Sequence, residues 1–220
     1  MDHAALLARS ELFSAFEPAA VARIAEAARL LTLQRNDVVC SEGQPADELF
    51  LVQSGRIAIA KRSIDGRESV VALMEEGDLF GEMPLFDDEG GRSAEARALE
   101  PSSLLAVPYP AVRAALQERP DVLWSVVRLL ARRLRVTDAA LADTMFLDVT
   151  GRTAKRLLEL AGDADEFVLP VTQEELAGMV GASRERVNKA ISAFIRLGWL
   201  DQAERRYRIL DREQLSRRAI

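Results

Sequence analysis

Residues 172–200 read TQEELAGMVGASRERVNKAISAFIRLGWL. Leu176, Met179 and Val180 recur at helical spacing before Gly181, and Val187, Ile191, Phe194 and Ile195 do so after it. Thr172 followed three residues later by Glu175 is a capping-box pattern, and Ser183 is a second N-cap. Two short helices joined by a tight turn must pack their apolar stripes on each other. The second then turns Arg184, Glu185, Arg186, Asn188 and Lys189 outward, as a helix-turn-helix presents its recognition face to DNA. The apolar periodicity by itself fits a plain helical hairpin in a globular core equally well.

The flanks favour the helix-turn-helix. Gly198-Trp199-Leu200 ends the second helix, and residues 200–210 alternate around a polar Ala203-Glu204-Arg205-Arg206 tip before Tyr207, Ile209 and Leu210. A two-stranded wing fits that pattern, so the module is expected to be a winged helix-turn-helix.

The remaining chain sets limits. Its 220 residues, nearly half of them apolar, can bury one large core or two modest ones. No apolar run is long enough to cross a membrane and no charged-then-apolar leader opens the chain, so a cytoplasmic protein without membrane contact is expected. One cysteine, Cys40, excludes an internal disulfide framework. With His3 as the only histidine, in a terminus expected to fray, no zinc, iron–sulfur or His-ligated haem site is expected. The net charge of −6 divides unevenly: residues 151–220 carry 13 Lys+Arg against 11 Asp+Glu, leaving 16 against 24 in residues 1–150. The acidic excess lies outside the helix-turn-helix, where a weak +2 must act by clustering on one face.

From Leu31 to Val107, short apolar runs alternate with turn residues, and glycines at 43, 55, 66, 77 and 81 punctuate them. The runs Leu49–Val52, Ile57–Ala60, Val70–Leu73 and Leu104–Val107 suit strands of an antiparallel sandwich or barrel. Residues 4–30 read as short helices offering Phe13, Phe16, Val21, Ile24 and Ala28 to it. A long helix is expected from Pro120 to about Thr144, with Leu123, Val127, Leu130, Leu134, Thr137, Leu141 and Thr144 on a heptad seam. Such a seam pairs with a second helix, which points to a homodimer, or else packs on its own β-domain. Polar Thr137, beside Asp138, either sets register or binds something held against the seam.

Residues 77–94, GDLFGEMPLFDDEGGRSA, hold a strand end at Gly81-Glu82-Met83, a short turn or helix at Pro84–Phe86, an acidic glycine-rich loop and Arg92-Ser93-Ala94. Backbone N–H groups, a guanidinium and a small hydroxyl are what phosphate recognition needs. Arg92 could equally form an ordinary surface ion pair.

The motifs GEM-x(8)-RSA, RRLRVT at 132–137, FLDVTGR at 146–152 and QEELAxxVGASRExVNK at 173–189 run in order over nearly the whole chain. Together they resemble the catabolite activator, or cyclic-AMP receptor, family of bacterial transcription regulators, in an actinobacterial-like form. The resemblance implies an α+β chain: a cyclic-nucleotide-binding antiparallel β-roll with flanking helices at 1–118, a dimerisation helix and hinge at 119–147, and a winged helix-turn-helix at 148–220. It implies a homodimer, controlled by cAMP as effector, that binds palindromic double-stranded DNA with TGTGA-like half-sites and contacts RNA polymerase.

By the same resemblance Gly81, Glu82 and Met83 line the ribose, Glu82 accepting from a hydroxyl. Arg92 and Ser93 hold the cyclic phosphate and Ala94 supports them. Thr137 meets the base, with Asp138 reaching from the partner subunit. Asp138 departs from the serine or asparagine expected there, and a carboxylate can accept from adenine's amino group or from N1–H and amino group of guanine. cGMP, a cyclic dinucleotide, or constitutive DNA binding without ligand are therefore open alternatives. Pro84 also departs from the family's small flexible residue. At the DNA, Arg184, Glu185 and Lys189 match the base-reading positions, and Thr172, Gln173, Ser183 and Asn188 are expected to contact phosphates. Lys189 stands where arginine is frequent and lacks its fork. Glu174 is expected to face solvent, and Asp148 to cap the helix after a hinge at Phe146–Val149. An enzyme using Glu82, Asp87 or Asp88 has no base, nucleophile or metal cluster to support it, and a non-DNA adaptor would lack salt-dependent DNA affinity.

Overall fold

A computed structural model describes residues 2–64, 68–87 and 91–220, so Gly66 and Asp88 lie outside the described residues. The chain divides into two compact units: Met1–Ser63 with Val71–Leu134, and Ile64–Val70 with Arg135–Ile220.

The first unit begins with α1 (His3–Arg9), a 3-10 turn at Phe13–Ala15 and α2 (Pro18–Ala27). His3 is not frayed: it opens α1, whose N-cap Asp2 accepts from the Ala4 N–H at 2.9 Å. Eight strands follow: β1 (Arg29–Leu33), β2 (Val38–Cys40), β3 (Glu48–Ser54), β4 (Ile57–Arg62), β5 (Glu68–Met74), β6 (Leu79–Phe80), β7 (Glu95–Ala98) and β8 (Ser102–Pro108). Between β6 and β7 lies the single turn α3 (Met83–Phe86), and after β8 comes α4 (Tyr109–Glu118). The strands form two sheets, ordered β1-β8-β3-β6 and β2-β7-β4-β5.

Two buried faces explain why Leu49–Val52 and Leu104–Val107 are continuous apolar runs where a one-sided strand would alternate. Leu49, Leu51, Leu105 and Val107 pack into a cluster with Leu7, Phe13, Val21 and Ile24 of the N-terminal helical segment. Phe50, Val52, Leu104 and Ala106 point the other way, into a cluster with Cys40, Ile57, Phe80, Ala96 and Ala98. Period-two geometry thus feeds two cores from the same strand.

The long helix starts later than expected. Pro120–Val122 form a 3-10 turn, and α5 runs Leu123–Phe146. Val122, Val126 and Leu129 join the first unit's core. The heptad seam is a different face: Leu123, Val127, Leu130, Leu134 and Leu141 are 37–61% exposed, and Thr137 and Thr144 are exposed too. One helix therefore carries two apolar faces, and packing on its own β-domain does not use the seam.

In the second unit α6 (Val149–Ala161), β9 (Glu166–Val168), α7 (Gln173–Val180), α8 (Arg184–Arg196), β10 (Leu200–Ala203), β11 (Arg206–Ile209) and α9 (Arg212–Arg218) follow. The wing is real, with Leu200 paired to Ile209 and Ala203 to Arg206, but β9 adds a third strand beside β11. Leu176, Val180, Val187, Ile191 and Phe194 are buried as the periodicity requires. Ile195 is not, at 38% exposed, and Met179 is only half-buried. Among the described residues no helix is long and apolar enough to cross a membrane.

Gly55 offers a test of the tight β3–β4 turn. At φ +84°, an added Cβ would lie 2.3 Å from Ser102 Oγ and 2.7 Å from the Pro101 carbonyl, whereas at Gly43, φ +77°, it would meet nothing within 4 Å. Gly55→Ala is therefore expected to cost at least ~1 kcal/mol more than Gly43→Ala in urea unfolding, since both share the left-handed strain but only one has the clash.

Candidate ligand pocket and nucleic-acid interface

The first unit brings Gly81, Glu82, Met83, Arg92 and Ser93 together around the end of β6. The turn out of β6 is left-handed at Gly81, φ +77°, and a Cβ there would sit 2.5 Å from Arg92 Nη1, so glycine lets the guanidinium lie against the backbone. Arg92 is only 6% exposed, a buried side chain and not a surface one. Its Cζ stacks 5.0 Å from the centroid of the Phe50 ring, which itself stacks on Phe80. Nη1 donates to the Gly81 carbonyl at 3.2 Å and to the Tyr109 hydroxyl at 3.5 Å. Nε is buried with no partner. Among the described residues no carboxylate pairs with Arg92, so one edge of a buried cation carries donors without acceptors. That edge is the fork that takes two oxygens of one phosphate.

Glu82 is wholly buried. Arg133, from α5, donates to Glu82 Oε1 at 2.5 Å, and its Nη2 donates to the Leu79 carbonyl. The other oxygen, Oε2, is buried without a partner, so an acceptor stays open for a hydroxyl. Ser93 Oγ lies 3.8 Å from Met83 Sδ, and Ala94 is half-buried just before β7. Arg133 and Tyr109 are pocket residues that the sequence reading missed. For Arg133 a signal existed: positions 122, 126, 129 and 133 share the core face of the helix, and a charge on a buried stripe calls for a partner. Tyr109 follows Pro108 with no such pattern.

Thr137 and Asp138 lie on the stretch of α5 that belongs to the second unit, both exposed. Asp148 N-caps α6, accepting from the Gly151 N–H at 2.7 Å and from the Arg218 guanidinium. These two donors, the backbone N–H first, hold its carboxyl below the usual aspartate value.

The helix-turn-helix is capped as its sequence demands. Thr172 Oγ1 accepts from the Glu175 N–H at 3.2 Å while Glu175 accepts from the Thr172 N–H at 2.6 Å, and Gly181 closes α7 at φ +67°. Ser183 Oγ accepts from the Arg186 N–H at 3.4 Å, opening α8. Arg184, Glu185, Asn188 and Lys189 are exposed, opposite buried Val187, Ala190, Ile191 and Phe194. Lys189 Nζ pairs with Glu185 Oε1 at 2.7 Å and keeps that carboxyl below its ordinary value. Glu174 faces solvent. Gln173 differs from expectation: its Nε2 donates to the Tyr207 hydroxyl at 2.5 Å and its Oε1 is buried, so this side chain braces α7 against the wing. Its backbone N–H, at the first position of α7, has no partner within the helix.

Two domain families match the chain: a cyclic nucleotide-binding domain over residues 30–119 and a Crp-like helix-turn-helix domain over residues 151–218. The CRP-like cAMP-activated global transcriptional regulator of Mycobacterium tuberculosis is 39% identical over 97% of this chain and 98% of its own length. The cAMP-activated global transcriptional regulator CRP of Salmonella typhimurium is 33% identical over 68% of this chain and 74% of its own. Among solved structures, the c-di-GMP responsive global regulator CLP of Xanthomonas campestris superimposes with a TM-score of 0.77 at 25% identity, covering 88% of this chain and 99% of that one.

Arg133→Met is expected to destabilise the protein by about 3 kcal/mol in urea unfolding, because it strands the buried Glu82 carboxylate. Adding Glu82→Met should recover part of that loss; simple additivity in the double-mutant cycle would show that the two do not act as a pair.

Proposed function

This chain belongs to the catabolite activator, or CRP, family of DNA-binding transcription regulators, with a cyclic nucleotide-binding domain and a Crp-like helix-turn-helix, and we propose that it is a homodimer whose affinity for a palindromic site rises when cAMP binds. The observation that carries the reading is the unpartnered edge of buried Arg92. A cyclic phosphodiester supplies one negative charge and two free oxygens, the complement of that fork. Glu82 Oε2 would accept from the ribose hydroxyl, with Gly81, Met83, Ser93 and Ala94 completing the wall.

Residues 1–118 are the sensor in this reading, 119–147 the dimerisation helix and hinge, and 148–220 the DNA-binding domain. The exposed seam of α5 is the dimer contact. Two copies present two α8 helices, as two-fold symmetry requires for palindromic half-sites. Thr137 of one subunit and Asp138 of the other meet the base, as family resemblance implies. Arg184, Glu185 and Lys189 read base edges, with Thr172, Gln173, Ser183 and Asn188 on phosphates. RNA polymerase is the proposed further partner, and the cytoplasm the proposed location. The ligand acts only through different affinities for the domain arrangements that do and do not fit DNA.

One observation favours a second reading of the effector. The Asp138 carboxylate can accept from both N–H donors of guanine's edge, and the Xanthomonas relative is described as c-di-GMP responsive.

Fluorescence anisotropy with a TGTGA-half-site palindrome tests the proposal. Saturating cAMP is expected to tighten DNA binding at least ~5-fold, the low end of allosteric coupling, and Arg92→Ala to remove that effect while leaving the ligand-free fold intact. Equal DNA affinity with and without cAMP, but tightening by cGMP or c-di-GMP, would transfer the role to the guanine nucleotide; equal affinity under all three would reject nucleotide control.

A further inference from the structure

Arginine can offer a phosphate either its Nε/Nη2 edge or the Nη1/Nη2 end, and which one it offers depends on what restrains the other donors. In this protein the restraint comes from outside the phosphate cassette. Tyr109, the first residue of α4, is 4% exposed and sends its hydroxyl into the turn that follows β6. That hydroxyl donates to the Gly81 carbonyl at 2.5 Å and accepts from Arg92 Nη1 at 3.5 Å. The Gly81 carbonyl also accepts from Nη1, at 3.2 Å. Three groups thus close a small ring: hydroxyl to carbonyl, guanidinium to carbonyl, guanidinium to hydroxyl. Its effect is to commit Nη1 inward and to leave Nε without a protein acceptor.

We propose that Tyr109 is the positioning residue of the phosphate site, fixing which edge of Arg92 faces the ligand and so which of the two exocyclic phosphate oxygens receives the stronger bond. The proposal rests on the cyclic-nucleotide reading above. Burial keeps the phenol protonated across the working pH range, since desolvation, outweighing the opposing pull of Arg92, pushes it up to about 12. The hydroxyl is therefore a steady donor to Gly81. Phe50 beneath the guanidinium fixes its plane but not its rotation within that plane, because a ring face offers no directional acceptor. Rotation in the plane is what the Tyr109–Gly81 pair sets. Tyr109 touches no reacting or bound group in this scheme; it acts through Arg92.

The test uses the full-length protein and three probes, cAMP and its Rp and Sp phosphorothioate diastereomers, in which sulfur replaces one exocyclic oxygen or the other. Sulfur is a weak acceptor, so the Rp/Sp affinity ratio reads the orientation of the guanidinium edge. Calorimetry on the unaltered protein is expected to give a clear preference for one diastereomer. Tyr109→Phe keeps the ring and its packing but removes the hydroxyl. It is expected to weaken cAMP binding about tenfold, as loss of a charge-assisted bond does, and to bring the Rp/Sp ratio towards one with little change in melting temperature. An unchanged ratio overturns the proposal, whether affinity is also unchanged or falls together with melting temperature, which marks a packing role. Should the unaltered protein bind none of the three, the cAMP reading fails first and the assignment of Tyr109 falls with it.

Discussion

A buried guanidinium that no carboxylate among the described residues pairs with is the constraint on which the first unit is arranged. Removing a cation from water is costly unless it is paired. Arg92 is compensated only in part, by the Phe50 face, the Gly81 carbonyl and the Tyr109 hydroxyl. Its Nε stays buried without an acceptor. Everything nearby serves that arrangement: the positive φ at Gly81 makes room for the guanidinium, β3 and β6 supply the stacked Phe50–Phe80 pair, and α4 delivers Tyr109. In the proposed function an anion bound there would complete what the fold leaves unfinished, and its binding energy would bias a conformational equilibrium.

Glu82 complements it with the opposite sign. Arg133 satisfies one oxygen and leaves the other open, so Glu82 offers an acceptor where Arg92 offers a donor. Arg133 belongs to α5, whose core face carries Val126 and Leu129 and whose opposite face carries the exposed seam. Arg133 and the proposed dimer surface are therefore on the same helix. At the helix-turn-helix the capping box of α7, the αL turn at Gly181 and the Ser183 N-cap of α8 are all made locally.

How far the sequence is legible follows from how local each interaction is. Thr172, Glu175, Gly181 and Ser183 each act on a partner within four residues, and their roles could be read directly. The apolar runs 49–52 and 104–107 located strands but not their partners, because residues with two buried faces carry no alternation to show which face meets which core. Strand β9, three residues long, is too short for any period, and it exists because β11 offers it an edge. In the pocket the spacing from Gly81 to Arg92 marked the cassette, yet Tyr109 and Arg133 arrive from 28 and 51 residues away, and pairings at that separation leave no periodic trace. Gln173 shows the converse: its position in the motif pointed outward to DNA, while the Tyr207 hydroxyl, contributed by the wing, draws its side chain inward.

In the proposed function the Nε edge of Arg92 receives the cyclic phosphate. Proton–nitrogen correlation spectra of the arginine Nε–H groups, with the Arg92 signal identified by its loss in Arg92→Lys, test it directly. On addition of cAMP that resonance is expected to move markedly downfield as Nε gains an oxygen acceptor. Saturation with cAMP, verified by calorimetry, with the Arg92 Nε–H signal unmoved would contradict it.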